Sequence, residues 1–283
     1  MEKTLVVKGH RVHWYVHGPS PTPGSIPLVL LHGFCENAEV WAPVLQEMKK
    51  NPNDLAQRTT IVLDLPGFGA SEVPRTSGMN VYADVLCAVL NELNVNGAAV
   101  AGHSMGGYTA LAFAAQYSER LAGLSLIHSQ PFADSEERKA NRRRGIELLQ
   151  SGKKEAYVSQ LVPGLFPESF REQHPEVVQK QLDQARRQSA EGIVQALQGM
   201  IDRHDHSALL TELAVPVQFV LGALDTITPP GDLLPLLAKP AVSDVQWIED
   251  CGHMGLLEQP GRVAAALLHF HELCTQMAPA HKK

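Results

Sequence analysis

Ser104 stands in the stretch VAGHSMGGYTALAFAAQ, two residues from Gly102 and two from Gly106, after an apolar run and before a helix-like one. A serine hydroxyl is a poor nucleophile near neutral pH. Chemistry at Ser104 therefore needs a base to take its proton and a carboxylate to orient that base. Both partners occur downstream. Asp225 follows the apolar run of PVQFVLGALD, and His253 follows that of VQWIEDCGH. Each residue alone has a plainer reading: Ser104 as the cap of a glycine-rich helix start, His253 as one loop histidine among 13. In this order, each just past an apolar run, the three read as nucleophile, acid and base for acyl transfer through a covalent intermediate. Glu249 and Asp250 lie nearer His253 along the chain, but on the run that leads into its loop. The orienting carboxylate has to reach Nδ1 from the side opposite the serine. Asp225 comes from a different run, its turn stiffened by Pro229 and Pro230, and is the expected acid.

Residues this far apart must be gathered by one scaffold. TLVVKGHRVHWYVHG alternates and turns at Lys8-Gly9, which predicts an antiparallel hairpin at a sheet edge. Short apolar runs follow in IPLVLLHG, TTIVLDLPG, GAAVAGHS, LAGLSLIHS, PVQFVLGALD and VQWIEDCGH. Helical patterns separate several of them: Tyr82, Val85, Leu86, Val89, Leu90 and Leu93 form one apolar face after an N-cap expected at Asn80. Alternation of this kind predicts a largely parallel sheet. Near-continuous runs such as LVLL and FVLG predict that helices cover both of its faces. Between about 130 and 206 strands vanish and the chain turns polar and helical. The expected organisation is a core from 1–129, an inserted helical lid at 130–206, and the rest of the core at 207–283.

The 283 residues are 44% hydrophobic with a formal net charge of −6, which suits one globular unit and leaves no basic footprint for nucleic acid. A small-molecule partner is expected; nothing speaks to oligomeric state. No signal-peptide pattern opens the chain and no apolar run approaches the ~18 residues of a membrane span, so a cytoplasmic address is expected. Cys35, Cys87, Cys251 and Cys274 are scattered without metal or disulfide spacing and are expected as packed thiols. No cofactor is implied, and His204-Asp205-His206 reads as a polar linker, not a metal site. The run Arg142–Arg144 reads as the solvated face of a helix whose Ile146, Leu148 and Leu149 point inward, the alternative being that it holds an anionic acid or a carrier phosphate at the lid's rim.

With these residues in view, the chain resembles an α/β-hydrolase-fold serine hydrolase of the carboxylesterase type over nearly its whole length. GHSMGG matches that family's nucleophile elbow, LLHGFCEN resembles its oxyanion loop, and DLPGFGASE its D-x-P-G-x-G-x-S turn. The resemblance implies that the backbone N–H groups of Phe34 and Met105 form an oxyanion hole. Dehalogenases and epoxide hydrolases of the fold carry aspartate where Ser104 stands. Carbon–carbon bond hydrolases usually carry asparagine before the nucleophile and an H-G-x-G-P-G loop, where this chain has His103 and HGFCEN. The single-glycine loop implies esters of short to medium acyl chains and disfavours tertiary alcohols. Leu161, Val162, Leu165, Phe166, Leu197 and Met200 are expected to roof the acyl pocket. A cofactor-free perhydrolase and a small-molecule receptor that keeps the pocket are the alternatives.

Overall fold

In the computed structural model, which describes residues 2–22, 24–50 and 58–278, eight strands form one sheet. They are β1 (Glu2–Val7), β2 (His10–His17), β3 (Leu28–Leu31), β4 (Thr60–Leu63), β5 (Ala98–His103), β6 (Leu121–Ile127), β7 (Val217–Gly222) and β8 (Ser243–Ile248). Their order is β1-β2-β4-β3-β5-β6-β7-β8. The first two strands are antiparallel, β2 runs antiparallel to β4, and every pair from β4 to β8 is parallel. Lys8 and Gly9, both at positive φ, close the expected hairpin, because a two-residue turn of that hand matches the twist of the strands it joins.

Every residue of β3, β4, β5 and β7 is buried, so these strands have no solvent face and require helices on both sides. The covering helices are α1 (Ala42–Lys49), α2 (Met79–Glu92), α3 (Met105–Gln116) and a closing helix, Pro260–Met277. The N-cap of α2 is Gly78, at φ 134°, and not Asn80. The apolar spacing located the helix face, but the chain enters two residues earlier because Met79 is itself buried against the core.

Between β6 and β7 the described chain holds no strand. It forms α4 (Glu136–Gln150), α5 (Lys154–Leu161), α6 (Glu168–Gln173), α7 (Pro175–Arg187) and α8 (Ala190–Ile201), then α9 (Leu209–Glu212) before β7. Ser135 and Ser189 cap α4 and α8 by accepting from the N–H groups of Arg138 and Gly192. Asp134 ties the two helices together: it pairs with Arg142 at 2.5 Å and with Arg203, just past α8, at 2.8 Å. After β7 come α10 (Pro230–Leu233), α11 (Gly255–Glu258) and the closing helix α12 (Pro260–Met277). No helix of the described residues is long and apolar enough to cross a membrane.

Candidate active site

The carboxyl ends of the parallel strands collect the chemistry-bearing residues, as open α/β sheets do with their ligands. Leu31 ends β3 just before His32 to Phe34, β5 delivers Ser104, β7 leads to Asp225, and β8 leads to His253.

Ser104 lies at φ 50°, ψ −113°, between the end of β5 and the first residue of α3. That left-handed backbone costs a non-glycine residue energy of order 1–3 kcal/mol and persists only where surroundings enforce it. Here they do. Ser104 N–H donates to Ile127 O at 2.9 Å, and its carbonyl accepts from Ser129 Oγ at 2.7 Å. A Cβ at Gly102 would stand 2.2 Å from the Gly106 carbonyl carbon, and one at Gly106 would stand 2.3 Å from Leu31 O. The turn closes only with glycine at both positions.

His253 Nε2 is 2.9 Å from Ser104 Oγ, and His253 Nδ1 is 2.9 Å from Asp225 Oδ2. Asp225 is locked in turn. Its Oδ1 accepts from the backbone N–H groups of Ile227 and Thr228, each at 2.9 Å, and its Oδ2 accepts from Thr228 Oγ1 at 2.6 Å. Burial pushes this carboxyl up, but the charge on His253 and the contacts of both His128 and His253 outweigh it and hold the group well below the usual carboxylate range. Glu249 and Asp250 are exposed and make no contact with the His253 ring. The histidine loop is pinned from three sides: Glu258 accepts from Gly252 and Met254 N–H, His253 N–H donates to Leu165 O, and His103 Nε2 donates to His253 O at 2.9 Å.

Several of these supports escape sequence reasoning. Glu36 lies inside HGFCEN, is 1% exposed, accepts from Gly33 N–H at 2.6 Å and faces His103 Nδ1 at 3.1 Å. Its signal was a carboxylate two residues after Phe34, but nothing in the spacing names its partner. Burial penalises charge on both members of the pair. Their mutual attraction and hydrogen bond nonetheless prevail, so Glu36 is held below and His103 above its ordinary value. His128, at φ 45°, sits behind Asp225 with Nδ1 3.5 Å from Oδ2 and without hydrogen-bond geometry. Burial drives its imidazole down to about 4, which makes it a neutral wall.

The Glu36–His103 pair carries a pH signature. A depressed carboxyl stabilises the fold above its unfolded pKa, and that contribution fades as pH falls through the folded value; a raised imidazole stabilises below its unfolded pKa, fading as pH rises through the folded value. Glu36→Gln is therefore expected to cost about 3–5 kcal/mol, as breaking a buried pair does, with the largest gap between about pH 4.5 and 6.5. Thermal midpoints of the two proteins across pH check it; a constant gap from pH 5 to 9 contradicts the charged pair.

Phe34 and Met105 bring backbone N–H groups with no acceptor among the described residues; Met105 is the first residue of α3, where such groups are orphaned. Phe34, Ser104 and His253 line a cavity of about 730 Å³. Leu161, Leu165 and Met200 line it too, whereas Val162, Phe166 and Leu197 do not. Those three are at most 4% exposed and pack into the core, because helix faces that looked alike in sequence point to different neighbours once α5 and α8 are docked.

The arginine run departs from its expected place only in part. Arg143 and Arg144 are exposed, as a solvated face requires, whereas Arg142 is half-buried; Arg142 and Arg144 both line the cavity of Ser104, joined from the same helix by Arg138, Asn141 and Leu148, and of the three apolar residues expected to point inward Leu149 is buried, Ile146 packs partly buried against the core and Leu148 lines the cavity. Asp134, outside the helix, draws Arg142 inward, a pull that helical periodicity cannot register. Cys35 is 1% exposed, and burial raises its thiol well above the ordinary range, so it is no thiolate. The remaining cysteines are likewise buried and free. Asp205 accepts from Ser207 N–H, capping a turn.

Comparison with known proteins gives the family. A family model described as alpha/beta hydrolase fold matches residues 26–260. An esterase structure from Thermogutta terrifontis, with malate bound, superposes with a TM-score of 0.86 at 31% identity, covering 97% of this chain and 99% of that one. A 2-hydroxy-6-oxononadienedioate/2-hydroxy-6-oxononatrienedioate hydrolase of Paraburkholderia phymatum is 30% identical, covering 90% of each chain. The dihydrolipoyllysine-residue acetyltransferase component of an acetoin cleaving system of Pseudomonas putida is 29% identical over 93% of this chain and 67% of its own length.

Proposed function

This chain belongs to the alpha/beta hydrolase fold family, and from that premise we propose that it hydrolyses carboxylic esters of short to medium acyl chains through an acyl-enzyme. The observation that carries the reading is the unbroken line from Ser104 Oγ through His253 to Asp225, both links 2.9 Å, opening on a cavity. Ser104 attacks the acyl carbonyl while His253 Nε2 takes its proton. Asp225 holds the imidazole with Nδ1 protonated and steadies the imidazolium. The Phe34 and Met105 N–H groups receive the oxyanion, the second aided by the start of α3. His253 then returns the proton to the departing alkoxide, and water activated by the same imidazole frees the acid. Residues 130–206 act as the lid over this cavity, set into a core of 1–129 and 207–283, whose outermost residues lie outside those described. Leu161, Leu165 and Met200 supply apolar wall for the acyl chain.

The Paraburkholderia relative favours a second reading, carbon–carbon bond hydrolysis. A carbon leaving group departs only with an electron sink in the substrate, whereas an alkoxide needs only the proton that His253 carries. This chain also has His103, engaged with Glu36, immediately before the serine. Peroxide in place of water would make the same acyl-enzyme a perhydrolase, which a peracid assay reads directly.

The ester reading predicts a steric limit. With one glycine in the oxyanion loop and the Phe34 ring in the cavity wall, an ethyl ester is expected to exceed its tert-butyl counterpart at least a hundredfold in kcat/KM, about 2.7 kcal/mol in the transition state. Comparable values, or faster turnover of a vinylogous 1,5-diketone acid than of any ester in a panel, overturn it.

A further inference from the structure

The cavity above Ser104 is lined on one side by the inner face of α4, where Arg138, Asn141, Arg142 and Leu148 follow at helical spacing and Arg144 stands beside them. A pocket built only for an alkyl chain has no use for three guanidiniums. Only one of the three meets a carboxylate among the described residues. Arg142 pairs with Asp134, but that single carboxylate is shared with Arg203. Arg138 donates to the Ile227 carbonyl at 3.0 Å and Arg144 to the Asn141 side-chain oxygen at 2.6 Å, both neutral acceptors, and neither has an ion-pair partner among the described residues. The cavity's own carboxylate, Glu36, is spent on Gly33 N–H and His103.

Guanidiniums are planar forks that match a carboxylate by two parallel hydrogen bonds. The bond from Arg138 to Ile227 also places one fork on the Asp225 loop, next to Thr226, another cavity residue. We propose that the substrate is an anionic ester: one end is the acyl group attacked by Ser104, and the other carries a carboxylate received by Arg138 and Arg144, with Arg142 behind them. This deepens the ester-hydrolase reading and rests on it. The three arginines bind and orient, and take no part in the bond-making.

The test compares a hemiester with its neutral isostere. Monomethyl glutarate is expected to exceed dimethyl glutarate at least tenfold in kcat/KM at low ionic strength. Raising the salt should compress that preference, because a partly open site is screened within a Debye length. In the double variant R138Q/R144Q the preference is expected to fall at least tenfold, through KM for the hemiester. A wild-type preference at or below unity overturns the proposal, as does a variant that slows both esters equally. If neither ester turns over, the hydrolase reading fails separately, and calorimetry on Ser104→Ala decides the arginine site alone. Glutarate should bind there and lose at least tenfold in affinity when both arginines are replaced. No glutarate binding overturns the site; binding of inorganic phosphate but not glutarate overturns the choice of a carboxylate.

Discussion

Ser104→Ala is expected to lower kcat on a simple ester by about 10⁶-fold, the loss seen when a nucleophile is removed from an interdependent triad. Ester turnover by the variant at even a hundredth of the native rate ends the mechanism. The side chain is barely engaged in folding: Oγ meets only His253, while the backbone bonds to Ile127 O and Ser129 Oγ are independent of it. The thermal midpoint should therefore stay close to the native value. A fluorophosphonate, which mimics the tetrahedral intermediate, should label Ser104 alone, with the adduct located by tandem mass spectrometry. Cys35 directly follows Phe34 in HGFCEN, yet its buried thiol is held well above the range in which a thiolate forms, so Cys35→Ser should retain most activity.

The second large effect is expected at Asp225. An asparagine there keeps the shape and can still accept from the Ile227 and Thr228 N–H groups, so the fold should survive. Its amide N–H, however, aims a donor at Nδ1 and forces the imidazole into the tautomer that carries its proton on Nε2, facing Ser104. That nitrogen can no longer accept the serine proton, and kcat should drop by about 10⁴-fold. Glu249→Gln and Asp250→Asn, on exposed positions away from the imidazole, should change kcat by less than about twofold. If instead one of these abolishes turnover in a folded protein while Asp225→Asn stays within tenfold, the acid has been misassigned.

What could be read along the chain was whatever a local rule enforces. The strand runs announced themselves by near-continuous apolar composition, since a strand covered on both faces admits little else, and β3, β4, β5 and β7 are buried throughout. The elbow was legible because a sharp strand-to-helix turn leaves no room for a Cβ at Gly102 or Gly106. Asp225 was separable from its nearer rivals because two strand ends can face one another across an imidazole and a residue on the histidine's own strand cannot. Local rules failed where partners came from elsewhere. Asn80 looked like a cap, but the burial of Met79 moved the helix start to Gly78. Val162, Phe166 and Leu197 looked equivalent to Leu161, Leu165 and Met200 until the docking of their helices sent them into the core.

Arginine gives the sharpest contrast. From sequence alone, Arg142–Arg144 read as a solvated helix face, with an anion held at the lid's rim as the alternative. Arg143 and Arg144 do stay exposed, but Asp134, brought against both Arg142 and Arg203, supplies the counter-charge that draws Arg142 inward, and Arg142 and Arg144 both reach the cavity of Ser104. Likewise nothing in HGFCEN or GHSMGG says that Glu36 and His103 meet; β3 and β5 must first lie side by side. Composition, period and turn chemistry thus determined the scaffold and the order of the three central residues, because those depend on neighbours in the chain. Charge placement, the supports of the imidazole and the wall of the cavity were decided only by the tertiary structure, because each depends on the free energy of a contact between residues the chain holds far apart.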